Sequence, residues 1–328
     1  MNAEQVLQEM TLEEKAAFCS GRDYWHTKAI ERLGVPSVMM CDGPHGLRKQ
    51  EGEGDHLGIN KSIETVCYPT AAALASSFDR DVMRRLGEAL GQECQAENVA
   101  MLLGPGLNIK RSPLCGRNFE YFSEDPYLAG EMGAAYVQAL QSRGIAACAK
   151  HFACNDQETR RMSGSSNLDE RTLHEIYLPA FESVVKKGRT RSLMCAYNAI
   201  NGEFCAENKM LLTDILRKRW GFDGFVVTDW GAVKGRAKGV ASGLDLEMPG
   251  GPNATGEELL EAVKNDELSE ADLDKAVLNL LRFVETALAQ RDENAAIDRD
   301  ACRRLAGELA GECAVLMKNE GVLPLREG

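Results

Sequence analysis

A single acidic residue, Asp229, directly follows a short apolar segment, Phe225–Thr228, that is predicted to form a buried strand. An ionised and positioned carboxylate of this kind can attack an electrophilic carbon, such as the anomeric carbon of a sugar. Basic neighbours would favour its ionised form. An Asp at the end of a strand is also a common cap of the next helix, so the position alone leaves both interpretations open.

Other polar and aromatic residues follow predicted strands in the same way, and their types suit a small polyol. Sugar hydroxyl groups both donate and accept hydrogen bonds, and an aromatic ring can cover the apolar face of a pyranose. Each residue also has a structural interpretation, as a surface pair, a loop-anchoring salt bridge or a buried ring. Their joint position favours a sugar site. They are Asp42, Arg117, Lys150, His151, Arg161, Tyr197 and Trp230.

The elements that position these residues alternate between short apolar segments and longer amphipathic ones, a pattern typical of a parallel sheet wrapped by helices. In parallel barrels the active site lies at the carboxyl ends of the strands. The predicted α/β fold is a TIM-like (β/α) barrel, irregular or lacking a strand because only seven strands are visible, with extra C-terminal helices. The seven strands are Ser37–Cys41, Ala71–Ala75, Ala100–Leu103, Ala146–Ala149, Ser192–Ala196, Phe225–Thr228 and Leu244–Glu247.

Helices are predicted between most of these strands. The segment Asp79–Asn98 places its apolar residues on one stripe at steps of four. Asp169 is the predicted N-cap of another helix, which Pro179 should kink because proline lacks a backbone N–H. Two further helices, within Gly256–Ala289 and Asp300–Leu316, lie outside the repeating pattern.

The last part of the chain differs from the rest. The segment Ala314–Asn319 is apolar and strand-like, and a turn and a second apolar stretch follow it. We therefore expect residues 1–290 to form the barrel domain that carries the site. Residues 291–328 are expected to be a helical linker and the truncated start of a second, α/β sandwich domain.

The composition excludes several classes of protein. The net charge of −12 argues against nucleic acid or an anionic membrane as a partner, and no apolar run approaches the roughly 18 residues of a membrane span. The eleven cysteines include no C-x-x-C pair and no two histidines have metal-ligand spacing, so no metal or other cofactor is expected. Most cysteines, Cys67 among them, are predicted to be buried free thiols. With an N-terminus that lacks signal-peptide features, this predicts a cytoplasmic protein.

Several long motifs, in order along nearly the whole chain, resemble glycoside hydrolase family 3 and, within it, the bacterial β-glucosidase branch. A match of so many motifs in the right order is specific to the family. The motifs are Asp42-Gly43-Pro44 with Gly46-Leu47-Arg48, Gly116-Arg117-Asn118-Phe119-Glu120, Lys150-His151-Phe152 with Asn155 and Glu158–Arg161, Met194–Asn198, and Gly221-Phe222 with Gly224–Trp230.

The resemblance implies a retaining β-glycosidase that hydrolyses terminal non-reducing β-D-glucosyl residues of a β-linked glucoside or oligosaccharide. Asp229 would attack the anomeric carbon and form a covalent glycosyl-enzyme. Arg161 matches the second sugar-site arginine better than its neighbour Arg160, and Trp230 would form part of the next sugar subsite. The implied substrate-binding residues are Asp42, Arg117, Lys150, His151, Arg161, Tyr197 and Trp230.

The resemblance also places the general acid/base, a Glu, in the α/β sandwich domain that follows the barrel. A retaining mechanism needs two carboxyl groups about 5 Å apart, and neither Glu158 nor Glu247 matches the second one. The 328-residue chain alone is therefore expected to be nearly inactive on unactivated glycosides, with the C-terminal domain of the same enzyme as its missing partner.

Alternatives remain open at the level of sequence. A β-xylosidase or a dual-specificity glycosidase would use the same residues. A Schiff-base aldolase would use Lys150 at the end of its strand, provided that its pKa were lowered. A non-catalytic sugar-binding barrel would have no need of Asp229. The sequence does not indicate an oligomeric state.

Overall fold

Five short parallel strands form the central sheet of the computed structural model, which describes residues 1–52, 54, 60–251 and 254–325. The order of the strands across the sheet is β1-β2-β3-β5-β8, so neighbours in the sheet follow one another along the chain. Three very short strands form a separate small sheet. The strands are β1 Met40–Asp42, β2 Met101–Leu103, β3 Ala146–Phe152, β4 Ser165–Ser166, β5 Ser192–Cys195, β6 Ala199–Ile200, β7 Glu203–Phe204 and β8 Phe225–Thr228.

Single bridges continue the sheet beyond β8 and curl it back towards β1. Val227 of β8 pairs in parallel with Leu246, and the next residue, Glu247, pairs in parallel with Ser20. His26 then pairs with Met39, immediately before β1. The result is the TIM-like barrel predicted from the sequence, with isolated bridges where a regular barrel has full strands.

Two of the predicted strands are not strands in the structure. Residues Ala71–Ala75 form a helix, α3, because the side chain of Thr70 caps it and alanine favours helices. Leu244–Glu247 contributes only the bridges of Leu246 and Glu247 and is no regular strand. The other five predicted strands are confirmed to within a few residues at each end, and β3 extends three residues further than predicted.

Eleven α-helices are assigned in the described residues. The predicted helix 79–98 is α4, whose N-cap Asp79 accepts the N–H of Asp81. Asp169 is confirmed as an N-cap, and the helix it begins is interrupted by a π-helical turn, Leu173–Tyr177, before Pro179 starts α7. The α-helices are α1 Ala3–Glu9, α2 Leu12–Phe18, α3 Ala71–Ala75, α4 Arg80–Ala96, α5 Pro126–Ser142, α6 Glu170–Thr172, α7 Pro179–Lys186, α8 Arg236–Ser242, α9 Glu257–Lys264, α10 Glu270–Ala289 and α11 Arg299–Glu312.

Other helical turns join these elements. A second π-helical segment is Met210–Arg219, and 3-10 turns are Glu31–Leu33, Asn118–Glu120 and Cys205–Glu207. None of the helices in the described part of the chain is both long and apolar enough to cross a membrane.

Alternate residues of each strand belong to different parts of the core. Leu102 packs with residues of the outer helices such as Leu86, whereas Met101 and Leu103 pack with Met194 on the opposite face of the sheet. This alternation follows from the two-residue period of a strand. Leu103 and Met194 also lie in the floor of the pocket described below, so this second face points into the barrel.

The structure also corrects the predictions for the segment Ala314–Asn319 and for Cys67. The segment Ala314–Asn319 is not a strand, because no strand of the described residues pairs with it, and Met317 is 88% exposed. All eleven cysteines are free thiols, but Cys67, which is among those predicted to be buried, is exposed. Nine of the others are buried.

Candidate active site

A pocket of about 180 Å³ opens at the carboxyl ends of the barrel strands. All eight residues predicted from the sequence line it, so the structure brings the whole predicted set together. A larger cavity, about 510 Å³, lies beside the opposite ends of the strands, near Val38, Ala100 and Ile145. The pocket at the carboxyl ends is lined by Tyr24, Trp25, Asp42, Arg48, Leu103, Arg117, Lys150, His151, Arg161, Met194, Tyr197, Asp229 and Trp230.

Asp229 follows β8 directly and is 8% exposed. Its backbone N–H donates to the carbonyl of Cys195 on the neighbouring strand, at 3.0 Å. Its Oδ1 atom accepts the backbone N–H of Trp230 at 2.8 Å. Its Oδ2 atom is buried and has no hydrogen-bond partner among the described residues. A buried carboxylate oxygen with free lone pairs, aimed into a pocket, is the geometry that a nucleophile requires.

The pKa of Asp229 is raised above the ordinary value of an aspartate, because burial disfavours its charged form. Arg117, the N–H of Trp230, Lys150 and the nearby hydroxyl of Tyr197 act in the opposite direction and do not outweigh burial. The predicted effect of the basic neighbours, which is to favour the ionised form, has the expected sign, but burial has the larger effect on the pKa. The sequence cannot show how completely the packed strand removes water from the side chain.

His151 lies between Arg117 and Asp229. The Nη2 atom of Arg117 lies 2.7 Å from Nε2 of His151. The Nε2 atom of His151 lies 3.6 Å from Oδ2 of Asp229. Burial, followed by the charges of Arg117 and Lys150, lowers the pKa of His151 well below its ordinary value, so the ring is neutral. A guanidinium can only donate, so Nε2 accepts and the ring proton lies on Nδ1. That nitrogen is 2.9 Å from the hydroxyl of Tyr121.

Lys150 and Asp42 form an ion pair across the first and third strands. The Nζ atom of Lys150 lies 2.7 Å from Oδ1 of Asp42, and Lys150 is only 3% exposed. Burial opposes both charges, but the attraction between them prevails, so the pKa of Lys150 is raised and that of Asp42 is lowered. A lysine held in its charged form is not the nucleophile of a Schiff-base aldolase, which removes support for that alternative.

Glu120 is a residue of the site to which the sequence analysis gives no role. It is 6% exposed, and its two oxygens contact two pocket-lining cations. Oε1 accepts from Nε of Arg117 at 2.5 Å, and Oε2 lies 3.6 Å from Nζ of Lys150. The signal in the sequence was the spacing of three residues from Arg117, which a single 3-10 turn, Asn118–Glu120, converts into a contact.

Arg161 closes one side of the pocket, and its neighbour Arg160 does not line it. The guanidinium of Arg161 donates to Glu158 at 2.6 Å and lies over the ring of Tyr197, 4.8 Å from the centre of the ring. The hydroxyl of Tyr197 donates to the carbonyl of Trp230 at 3.1 Å. This contact ties the ring of Tyr197 to the segment that carries Asp229.

Three aromatic rings form the opposite wall. The ring of Trp230 lies 5.4 Å from that of Trp25 and 6.1 Å from that of Tyr24, centre to centre, and its Nε1–H donates to the carbonyl of Tyr24 at 2.9 Å. Tyr24 and Trp25 were not predicted, because they are some two hundred residues away in the chain and lie in the irregular segment that closes the barrel. An aromatic wall beside polar groups suits the apolar face of a sugar.

No group of three histidine, cysteine or acidic residues in the described part of the chain is arranged to hold a metal ion. The pocket itself brings together a buried carboxylate, several cationic side chains, a neutral imidazole and aromatic rings. These groups can bind several hydroxyls and attack one carbon.

The family model described as "Glycosyl hydrolase family 3 N terminal domain" matches residues 9–283. The chain is 56% identical over its full length to "Thermostable beta-glucosidase B" of Acetivibrio thermocellus, of which it spans 43%. It is 45% identical to "Exo-alpha-(1->6)-L-arabinopyranosidase" of Bifidobacterium longum, over 98% of this chain and 43% of that protein.

Solved structures show the same similarity. A family 3 β-glucosidase of Bifidobacterium adolescentis superimposes with a TM-score of 0.91 at 42% identity, over 97% of this chain and 46% of that one. The β-glucosidase 3B of Thermotoga neapolitana in complex with glucose also gives 0.91, at 38% identity, over 99% of this chain and 48% of that one. The chain thus spans less than half the length of each of these relatives.

Proposed function

This chain belongs to glycosyl hydrolase family 3, and we propose that it carries the nucleophile and the sugar-binding pocket of a retaining β-glucosidase. The observation that carries the proposal is the Oδ2 atom of Asp229, which is buried, lacks a hydrogen-bond partner among the described residues and faces Arg117 and His151. A purely structural Asp at this position would have its oxygens satisfied.

In the proposed complex the pocket binds one terminal glucosyl residue. Asp42 and Lys150 lie together at one side and offer an acceptor and a donor to neighbouring hydroxyls. Arg117, His151 and Arg161 face hydroxyls around the remainder of the ring. These groups are held by ion pairs and packing before the sugar arrives, so binding loses little side-chain entropy.

In the proposed reaction Oδ2 of Asp229 attacks the anomeric carbon while the bond to the leaving oxygen breaks, and a covalent glycosyl-enzyme forms. Water then attacks the same carbon and loses a proton to the general base, while the bond from this carbon to Oδ2 breaks. The sugar leaves with its original anomeric configuration, and Asp229 is again a carboxylate. Arg117, 4.0 Å from Oδ2, stabilises the carboxylate before attack and when it leaves.

Trp230 is proposed to contact both the glucosyl residue and the next sugar or aglycone, because its ring lies beside Asp229 at the rim of the pocket. Tyr24 and Trp25 support that ring from behind. This arrangement gives the leaving group an apolar surface to stack on. Stacking of this kind does not select one particular sugar or aglycone.

The general acid/base is proposed to come from a second domain, with residues 1–290 forming the barrel domain. A retaining enzyme needs a second carboxyl about 5–5.5 Å from the first, and the longer relatives have more than half of their length outside the region they share with this chain. General acid catalysis contributes about 10²–10⁴-fold. The 328 residues alone are therefore expected to act only on glycosides whose leaving group needs no proton.

A second specificity is supported by one comparison. A relative 45% identical to this chain is named an exo-α-(1→6)-L-arabinopyranosidase. A β-D-glucopyranoside and an α-L-arabinopyranoside both present an equatorial leaving group in their usual chairs, so the same nucleophile can serve both. The two sugars differ in configuration at C4, and only glucose has C6. In the proposed complex these positions are contacted by other residues of the pocket and not by Asp229.

The proposal is tested by hydrolysis of 2,4-dinitrophenyl glycosides, whose leaving group needs no acid. Purified residues 1–328 are assayed on the β-D-glucoside, β-D-xyloside and α-L-arabinopyranoside, beside the corresponding alkyl glycosides. We expect turnover of the dinitrophenyl glucoside, alkyl glucosides at least about 100-fold slower, and loss of both in Asp229→Ala. Turnover that survives Asp229→Ala would refute the nucleophile, and equal rates on both leaving groups would place the acid within this chain.

A further inference from the structure

Arg117 has three negative or electron-rich neighbours, and each lies opposite a different nitrogen of the guanidinium. Nε donates to Oε1 of Glu120 at 2.5 Å, and Nη2 donates to Nε2 of His151 at 2.7 Å. Nη1 lies 4.0 Å from Oδ2 of Asp229, which is too far for a hydrogen bond. The two short contacts thus hold the guanidinium just outside hydrogen-bonding distance of the proposed nucleophile.

Among the charged partners of Arg117, Glu120 is the one that fixes the position of the guanidinium. Lys150 is paired with Asp42 at 2.7 Å, so Asp42 is already engaged. Only Glu120 and Asp229, among the described carboxylates, lie within 4.0 Å of Arg117. The side chain of Arg117 is 19% exposed. A guanidinium largely removed from water that loses one carboxylate is drawn to another, because an unpaired charge in such a place is costly. Without Glu120, a shift of about 1 Å would let Arg117 donate directly to Asp229.

We propose that Glu120 is a positioning residue that keeps Arg117 off Asp229, so that Oδ2 retains a free lone pair for the anomeric carbon while still sensing the positive charge. This inference rests on the proposed role of Asp229 as the nucleophile. A direct hydrogen bond from Arg117 would stabilise the carboxylate in the resting state more than in the transition state, where its charge is passing to the sugar, and would slow the attack.

The turn that carries Glu120 does not depend on its side chain. The backbone N–H of Glu120 donates to the carbonyl of Arg117 at 3.1 Å, and that of Asn118 donates to Cys115 at 3.2 Å. Both oxygens of the Glu120 carboxylate instead contact cations that line the pocket, Arg117 and Lys150. A Glu120→Gln variant, which keeps the shape and removes the charge, is therefore expected to fold.

The first measurement is the crystal structure of Glu120→Gln beside that of the wild-type chain. The distance between Nη1 of Arg117 and Oδ2 of Asp229 is expected to shorten from 4.0 Å to about 2.8 Å, the length of a charge-assisted hydrogen bond. An unchanged separation would overturn the inference. This readout does not depend on activity, so it decides the role of Glu120 even if the proposed function fails.

The second measurement is the rate at which 2,4-dinitrophenyl 2-deoxy-2-fluoro-β-D-glucoside labels the protein, as a function of pH. In Glu120→Gln the plateau rate is expected to fall about 10- to 100-fold, the size of one hydrogen bond to a charged group. Loss of one negative charge and gain of one donor both favour ionised Asp229, so the midpoint of the acid limb should move to lower pH. A fall in rate with the midpoint unchanged would indicate a merely structural role and overturn the inference.

Two further variants complete the test. Glu158→Gln is the matched control, since Glu158 also pairs with a pocket-lining arginine three residues away, Arg161. It is expected to leave the midpoint in place, and a shift equal to that of Glu120→Gln would contradict a specific role. The Glu120→Asp variant keeps the negative charge and is expected to retain the wild-type midpoint. If Glu120→Gln does not fold, Glu120→Asp serves as the test, and a lowered midpoint in it overturns the inference. Absence of label in the wild type would refute the proposed function instead.

Discussion

The Nε2 atom of His151 lies 3.6 Å from Oδ2 of Asp229 and carries no proton, because Arg117 donates to it. A histidine beside a carboxylate usually suggests a protonated partner or a proton shuttle. In this pocket burial and the charges of Arg117, Lys150 and Arg161 lower the pKa of the ring and keep it neutral. The hydrogen bonds on both ring nitrogens fix its tautomer. His151 therefore supplies no hydrogen bond to Oδ2 of Asp229.

The tautomer of His151 is directly measurable. In protein labelled with ¹⁵N-histidine, long-range proton–nitrogen correlation is expected to show the proton on Nδ1, and His151→Gln assigns the signals. Since the pKa of the ring is lowered, the signals should not change on acidification through the ordinary histidine range. A proton on Nε2, or titration near the pKa of a free histidine, would contradict the hydrogen bonds assigned to Arg117 and Tyr121.

Asp229 is expected to cost stability at neutral pH. Its pKa is raised in the folded state, so folding favours the protonated form; that contribution is complete below the unfolded pKa and is lost as pH rises through the folded pKa. Asp229→Asn should therefore be more stable than the wild type at pH 7, by about 1 kcal/mol. The gain should vanish on acidification, as followed by urea unfolding. Equal or lower stability of the variant at pH 7 would contradict the burial of the charge.

Asp42 and Lys150 are expected to behave as one unit. Removal of the acid in Asp42→Asn leaves a buried ammonium with Glu120 as its more distant partner at 3.6 Å, which should cost about 3 kcal/mol of unfolding free energy. In the double variant with Lys150→Met the cost should be smaller than the sum of the two single changes. Additive costs in urea unfolding would show that the ion pair is not a coupled unit.

The ion pair also has a pH dependence with a known sign. The pKa of Asp42 is lowered, so the stability that the pair contributes is present above the unfolded pKa of aspartate and is lost as pH falls through the folded one. The difference in stability between wild type and Asp42→Asn should accordingly shrink on acidification. A difference that is constant over this range would contradict the pairing.

Trp230 is expected to report binding of glucose. The chain has three tryptophans, two at the pocket and one, Trp220, packed against Phe152 in the outer core. Glucose should change the tryptophan fluorescence of the wild type, and Trp230→Phe should reduce that change and weaken binding by roughly tenfold, about the value of one stacking contact. Trp220→Phe is the matched control and should keep the response. Loss of the response in Trp220→Phe alone would contradict the location of the site.

The sequence predicted the barrel and the site residues Asp229 and Lys150 because a continuous apolar run precedes each of these two residues. Asp229 after Phe225–Thr228 and Lys150 within Ala146–Phe152 are of this kind. The segment Ala71–Ala75 resembles a strand in sequence because five consecutive apolar residues show no period. The contact that makes it a helix is the cap from the side chain of Thr70.

Other features could not be predicted because they depend on contacts between distant parts of the chain. The aromatic wall needs Trp25 to meet Trp230, which only the closure of the barrel brings about. The effect of burial on the pKa of Asp229 needs the packed strands around it. Glu120 lies three residues after Arg117 in the motif Gly116–Glu120, but this spacing does not by itself show that the carboxylate points at the guanidinium.

The nucleophile is tested most directly by trapping it. The chain is treated with 2-deoxy-2-fluoro-β-D-glucosyl fluoride, digested with trypsin and analysed by tandem mass spectrometry. One 2-deoxy-2-fluoroglucosyl group is expected on Asp229, within the tryptic peptide 220–234, and none in Asp229→Ala. A label on another carboxylate, or no label on the wild-type chain at any pH at which it is folded, would contradict the role of Asp229.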